Sequence, residues 1–212
     1  MIKIVNEYSK KINLVTRSGL FNSSMILTTA ILDMYYEYCS SKITRFFSIE
    51  PTVRLLRTNK VPKNNKSYDH IYNIKDIDLD QYQYNHDQIR LNGIPYGSSG
   101  LAWFKYGNNI VSSYLACDGI ILTQEESYKV ANGVDLKLIQ SIDARDKDAH
   151  IEDSDIHIYS FSESIEDMNP HDNTDANISN KRFIIVEEFA KTVLMNCIDK
   201  QLFDLDKRDG LK

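Results

Sequence analysis

Apolar side chains between residues 23 and 40 recur with the period of an α-helix. They stand three or four positions apart and form one stripe: Leu27, Ile31, Met34, Tyr35 and Tyr38. Asn22 and the two serines after it offer side-chain oxygens suited to a helix N-cap. The pattern predicts a core-facing helix over residues 23–40. Because Pro51 suits the first turn of a helix, we also predict a short helix over residues 50–58.

The end of the chain carries the same helical period. Its apolar side chains fall on one face: Phe183, Val186, Phe189, Ala190, Val193 and Cys197. We therefore predict a terminal helix over residues 180–203. Residues 166–180 contain almost no apolar side chains, which predicts a loop before this helix.

The middle of the chain consists of short apolar runs separated by turn residues. Asn132-Gly133 lies between two alternating segments and is typical of a hairpin, because both residues tolerate positive φ. Runs bounded in this way predict strands. Residues 97–100, Gly-Ser-Ser-Gly, could present backbone amides to an anion, but no helix is predicted after them. We interpret them as a surface turn.

These elements predict an α+β fold, with amphipathic helices near both ends flanking a central antiparallel β region. The length of 212 residues suits a single domain, 1–212. The β-rich region, 81–165, can be described as an insertion between the N-terminal helices (23–58) and the C-terminal helix (180–203).

The composition indicates the source more than the fold. The chain has 25 Ile and 17 Asn but only 8 Ala, a bias that AT-rich codons produce. We expect an AT-rich bacterium or a virus of one. No signal-peptide pattern is present, and no apolar run approaches the roughly 18 residues of a membrane span. We predict synthesis in the cytoplasm, no membrane partner, and a possible place in a virion.

Charge is strongly segregated along the chain. Residues 1–75 carry a net charge of +7, whereas residues 143–176 carry −9. Such segments are solvated faces, pair within the fold, bind nucleic-acid phosphate, or join copies of the protein and its partners. Tyrosines in loop-like segments favour a protein interface, because tyrosine is enriched at such contacts. The interface candidates are Arg45, Arg54, Arg57, Lys60, Lys63, Tyr68, Tyr72, Tyr82 and Tyr84.

One constellation suggests catalysis. Asp118 follows an apolar run, and Asp135 and Lys137 lie in the segment after the predicted hairpin. On a strand, Asp135 and Lys137 project from one face. The set resembles the core of PD-(D/E)xK nucleases, although Cys117 stands where that family has proline. The resemblance implies Mg²⁺ held by the two aspartates and a lysine that stabilises charge at phosphorus.

The leading hypothesis from the sequence is a non-enzymatic assembly protein without a cofactor. We expect a virion or phage component that oligomerises through its charged and Tyr-rich surfaces with itself or other proteins. The order of helices around a β region is similar to that of phage head-to-tail connector proteins. The alternatives are a Mg²⁺-dependent nuclease of the PD-(D/E)xK type and a host-directed effector that binds one protein. Nucleic acid as a partner is allowed but not favoured.

Overall fold

The computed structural model describes residues 11–39, 52–59, 67–73, 89–146, 160–170 and 175–208. Its strands are β1 (Lys11–Thr16), β2 (Thr52–Arg57) and β3 (His70–Ile71). Its helices are α1 (Ser23–Met34), α2 (Ser98–Cys117), α3 (Gln124–Val134), α4 (Gln140–Asp146), α5 (Phe161–Asp167) and α6 (Ala176–Arg208). Two π-helical turns, Tyr35–Cys39 and Asp135–Ile139, continue α1 and α3. The prediction that helix and sheet both occur is confirmed.

The described strands form one sheet, and that sheet is parallel. Its order is β2-β1-β3, with Thr16 opposite Arg57 and Val15 opposite Ile71. The predicted antiparallel arrangement is therefore wrong. The predicted helix over 50–58 is also wrong, because residues 52–57 form β2 and pair with β1 along its whole length. Side-chain exposure alternates from residue 53 to residue 57, which is the period of a strand.

The central region is helical among its described residues, so the predicted β-rich region is wrong. In α2 the buried side chains recur every three or four positions: Ala102, Trp103, Tyr106, Ile110, Val111 and Tyr114. Lys105 and Asn109, which break up the apolar runs, lie on the exposed side of this helix. Short apolar runs do not distinguish a strand from a helix by periodicity alone, which explains the error.

Two glycine signals have a packing role instead of a turn role. Asn132-Gly133 lies inside α3, and a Cβ on Gly133 would come within 2.9 Å of Cδ of Gln201 on α6. Gly133 therefore packs against the end of the Gln201 side chain on α6. Residues 97–100 are not an isolated surface turn, because they begin the 20-residue helix α2.

Helix α1 is the centre of the hydrophobic core. Of its 12 residues, 11 are buried, and it packs against both α2 and α6. This confirms the predicted helix over 23–40, which includes the following π-helical turn. The terminal helix is also confirmed, although α6 extends beyond 180–203 at both ends. Within the described part of the chain, no helix is long and apolar enough to cross a membrane.

A buried ionic network joins α2 to α4. Asp143 on α4 is fully buried and accepts hydrogen bonds from Oγ of Ser99 at 2.8 Å and from the backbone N of Gly100 at 3.1 Å. Arg90 donates to Asp143 at 2.8 Å and makes a bidentate contact with Asp135 at 2.8 and 3.0 Å. Burial raises the pKa of Asp143, while the hydrogen bonds from Arg90 and Ser99 oppose that effect. The carboxylate thus complements the positive end of the α2 dipole.

His70 is a buried ionisable group of the sheet. Its side chain lies at the start of β3, and its Nε2 is 2.7 Å from the hydroxyl of Tyr36. Burial, and then the charge of Lys105, lowers the pKa of His70 to about 4. His70 is therefore neutral in the folded protein at neutral pH.

The Gly100→Ala substitution tests the packing of the Asp143 network. A Cβ at this position would overlap the Asp143 carboxylate and lie 2.6 Å from Nη2 of Arg90. We expect the free energy of unfolding to fall by about 2–4 kcal/mol, as measured by urea denaturation. The control is Asn109→Ala, at an exposed position of the same helix, which should stabilise by up to about 0.5 kcal/mol. A stabilised Gly100→Ala variant would show that helix propensity outweighs this contact.

His70 predicts an acid-dependent loss of stability. Its folded pKa lies below the 6.5 of an unfolded histidine, so the unfolded chain takes up the proton first as the pH falls. Between pH 6.5 and pH 4, the wild type should therefore lose about 3 kcal/mol more stability than His70→Gln. Urea unfolding across this range measures the difference. Parallel pH profiles for the two proteins would contradict the buried, neutral state.

Candidate functional site

The structure places the three predicted nuclease residues on helices. Asp118 is exposed at the C-terminal end of α2, while Asp135 and Lys137 lie in the π-helical turn after α3. Asp135 accepts hydrogen bonds from Arg90 and, at 2.8 Å, from Nε2 of Gln140. The predicted strand for Asp135 and Lys137 is therefore wrong, and the layout differs from the neighbouring strands of the PD-(D/E)xK core.

The predicted interface residues have different surroundings. Arg54 is exposed on β2, whereas Arg57 is half-buried and Tyr68 packs against Val15 and Ile71. Tyr72 is fully buried, with its hydroxyl 2.6 Å from Oγ1 of Thr29, so it belongs to the core. The remaining candidates lie outside the described residues: Arg45, Lys60, Lys63, Tyr82 and Tyr84.

The sheet topology indicates where a ligand would bind. β1 is central, β2 lies on one side of it and β3 on the other, so the chain changes direction across β1. In open parallel sheets, ligands bind outside the carboxyl ends of the strands at this switch point. Here the switch point opens into residues 17–22, the loop that leads from β1 to α1.

A surface cleft of about 650 Å³ lies at this loop. We call it the switch-point cleft. It is lined by Arg17, Leu20, Phe21, Asn22, Glu166, Asp167, Asn169 and Pro170. The cleft thus combines one cation with two carboxylates and two amides, and its two sides come from the β1–α1 loop and from the end of α5.

Neighbouring elements hold the β1–α1 loop in place. Gly19 has φ of +92°, which favours glycine, and its carbonyl accepts from Nη2 of Arg57 at 2.6 Å and from Oγ of Ser179 at 3.0 Å. Asn169 and Phe21 exchange two hydrogen bonds, at 2.9 and 2.8 Å. Burial lowers the pKa of Arg57 to about 10, so Arg57 stays charged at neutral pH. The loop is therefore preorganised on both sides.

The N-terminus of α1 opens at the same place. Asn22 caps it by accepting from the backbone N of Met25 at 2.9 Å, and its amide donates to Oδ1 of Asp146 at 3.1 Å. Behind the cap, the hydroxyls of Ser24 and Ser98 are 3.0 Å apart, which joins the first turns of α1 and α2. Because the cap is a neutral amide, the positive end of the α1 dipole is not neutralised by its own capping residue.

The cleft and its rim carry oxygen ligands suited to Mg²⁺. Glu166 and Asp167 line the cleft, and Asp146 is exposed beside Asn22. Glu166 is also paired with Arg145 at 3.1 Å. Mg²⁺ commonly uses one or two protein carboxylates together with waters and substrate phosphates. Glu166 and Asp167 therefore offer ligands of the kind that Mg²⁺ uses together with a substrate.

A separate acidic cluster joins α1 to α6. Among the described residues, the group of three potential metal ligands within 4.8 Å of one another is Asp33, Glu187 and Glu188. Burial, and then the charge of Asp33, raises the pKa of Glu187 to about 8. This cluster does not line the switch-point cleft.

Sequence reasoning missed the residues of the cleft. The sequence prediction contains no strand over residues 11–16, so it does not identify the strand-to-helix connection that carries Arg17 and Asn22. The available signal was the order of a short apolar run (11–16), a glycine-containing loop and the predicted helix that begins at residue 23. That order is typical of a parallel strand–helix unit.

Comparison with known proteins identifies a family. A family model named MYG1_exonuc, described as "Uncharacterised protein family (UPF0160)", matches residues 13–209. No curated protein and no solved structure matches the chain.

This match overturns the leading hypothesis from the sequence. The expectation of a non-enzymatic virion or phage component is wrong, because the matched family carries the name of an exonuclease and nothing indicates a structural viral role. The nuclease alternative is better supported than the assembly hypothesis. Because the match spans residues 13–209 of 212, the chain belongs to the MYG1_exonuc family.

Proposed function

We propose that this protein is a Mg²⁺-dependent phosphodiester hydrolase of the nuclease type, acting at the switch-point cleft. The observation that carries the proposal is the position of the cleft. It lies at the carboxyl end of the central parallel strand and combines Arg17, the N-terminus of α1 and hard oxygen ligands. The name of the matched family supports a nuclease over other phosphoesterases.

Substrate phosphate is proposed to bind between Arg17 and the first turn of α1. A guanidinium group can donate two parallel hydrogen bonds to a phosphate. The N-terminus of a helix attracts anions through its dipole and its backbone N–H groups. Asn22, as a neutral cap at the rim of the cleft, leaves this attraction in place.

The carboxylates are proposed to bind Mg²⁺ together with the substrate. Asp146, Asp167 and Glu166 would hold the ion, and Glu166 also pairs with Arg145. When bound, Mg²⁺ polarises a phosphoryl oxygen and lowers the pKa of a bound water. The amide of Asn22 donates to Asp146 and orients that carboxylate toward the cap of α1.

Preorganisation of the loop supports catalysis in this cleft. Arg57 and Ser179 fix the carbonyl of Gly19, and Asn169 fixes the backbone of Phe21. A fixed loop positions Arg17 and Asn22 without an entropy loss at the moment when substrate binds. Arg57 is therefore a positioning residue for this site.

Hydrolysis of a 5′-labelled single-stranded oligonucleotide, RNA or DNA, tests the proposal. We expect Mg²⁺-dependent release of mononucleotides that stops on addition of EDTA. Arg17→Gln should raise KM by about tenfold because it removes a charge-assisted contact with phosphate. Asp146→Asn should mainly lower kcat, by about tenfold or more, because it removes a ligand of the ion.

Two matched variants serve as controls. Arg54→Gln removes an exposed arginine from β2, and Asp118→Asn removes an exposed aspartate from the far end of α2. Both should retain wild-type kinetics. Absence of hydrolysis by the folded wild type with either nucleic acid would overturn the proposed activity. If Asp118→Asn loses activity and Asp146→Asn keeps it, the active site does not lie at the cleft.

A further inference from the structure

A groove of about 360 Å³ lies between β2 and α6, with α1 at its base. Arg57 lines one part of it, and Asp33 and Glu187 line another. The groove is distinct from the switch-point cleft, since the two share no lining residue. Its acidic part has no role in the proposed hydrolysis.

Three carboxylates meet in this acidic part. Asp33 comes from α1, and Glu187 and Glu188 come from α6. One oxygen from each lies within 4.8 Å of the others. Three protein carboxylates are typical of Ca²⁺, whereas Mg²⁺ usually binds one or two carboxylates together with waters and substrate phosphates. The ligand set therefore suits calcium better than magnesium.

Glu187 supplies an independent indication of a ligand. Its side chain is buried, with 7% of the residue exposed, and its Oε1 has no hydrogen-bond partner. A buried carboxylate oxygen without a donor or a cation is costly, since burial removes its hydration. Glu187 also lines the groove and contributes one oxygen to the cluster.

Lys191 neutralises this acidic part incompletely. Its Nζ lies 2.8 Å from Asp33, 3.0 Å from Glu37 and 3.7 Å from Glu188. One ammonium group thus faces several carboxylates, and no ion pair joins it to Glu187 among the described contacts. Glu37 is not one of the three clustered acids. Lys191 can therefore remain paired with Glu37 while the cluster takes a cation.

We propose that Asp33, Glu187 and Glu188 form a binding site for a hard divalent cation such as Ca²⁺. The ion joins α1 to α6 and balances the negative charge that Lys191 does not neutralise. The site is independent of the proposed hydrolysis, which uses Mg²⁺ and substrate at the switch-point cleft. Failure of one proposal therefore leaves the other standing.

Calorimetric titration of the full chain with CaCl₂ at constant pH tests this site. We expect one saturable binding event, with weaker binding of Mg²⁺. Glu187→Gln keeps the shape of the side chain and removes its charge, so Kd should rise by about tenfold or more. Lys191→Met removes the competing ammonium, so Kd should fall severalfold. Thermal unfolding should show a Ca²⁺-dependent rise in Tm for the wild type that Glu187→Gln lacks.

Two variants control for other binding of the ion. Glu125→Gln changes an exposed glutamate that pairs with Lys129 on α3, and Asp146→Asn changes the cleft. Both should bind Ca²⁺ as the wild type does. The site is overturned if the wild type shows no saturable Ca²⁺ binding or if Glu187→Gln binds equally well. Weaker binding by a folded Lys191→Met would also overturn it; if that variant does not fold, Glu187→Gln decides.

Discussion

The carboxylate of Asp143 lies fully buried at the N-terminus of α2, where Ser99, Gly100 and Arg90 all donate to it. Burying this charge is costly, and the cost is met only because the hydrogen bonds are complete and Arg90 is a cation. Arg90 also holds Asp135, so the π-helical turn between α3 and α4 depends on the same contact. The network therefore fixes the first turn of α2.

Placement of α2 in turn shapes the edge of the sheet. The hydroxyl of Ser98 joins that of Ser24 and also donates to Oδ1 of Asn73 at 2.9 Å. Through these bonds the first turns of α1 and α2 meet beside the carboxyl end of β3. Asp146 lies on the same helix, α4, as Asp143. It accepts a hydrogen bond from the amide of Asn22, the N-cap residue of α1. Helix α4 thus carries both the buried carboxylate of Asp143 and the exposed carboxylate of Asp146 beside the cleft.

The sequence predicted the elements whose period is unambiguous. The helix over 23–40 and the terminal helix were found because their apolar stripes extend over several turns. Residues 52–57 are compatible with a helix in sequence because Pro51 suits a helical turn, and only pairing with β1 decides between the two states. The prediction of strands in the central region was wrong for a similar reason. Asn132-Gly133 is typical of a hairpin, yet it lies inside α3, where Gly133 packs against α6.

The site was less predictable than the fold, for a physical reason. Arg17 and Asn22 have no distinctive spacing, and their proposed role comes from the switch point, which exists only once three parallel strands are ordered. Asp135 and Lys137 had a suggestive spacing, yet Asp135 forms its contacts with Arg90 and Gln140. The proposed site therefore rests on the topology of the sheet and not on spacing along the chain.

The central claim is that the switch-point cleft is where a phosphodiester binds. A titration of the ¹⁵N-labelled protein with a non-hydrolysable dinucleotide analogue and Mg²⁺, followed by NMR, tests that claim most directly. The account predicts that the largest amide shift changes fall on Arg17, Asn22 and Ser24. Changes that concentrate on β2 around Arg54, with none at the β1–α1 loop, would contradict it.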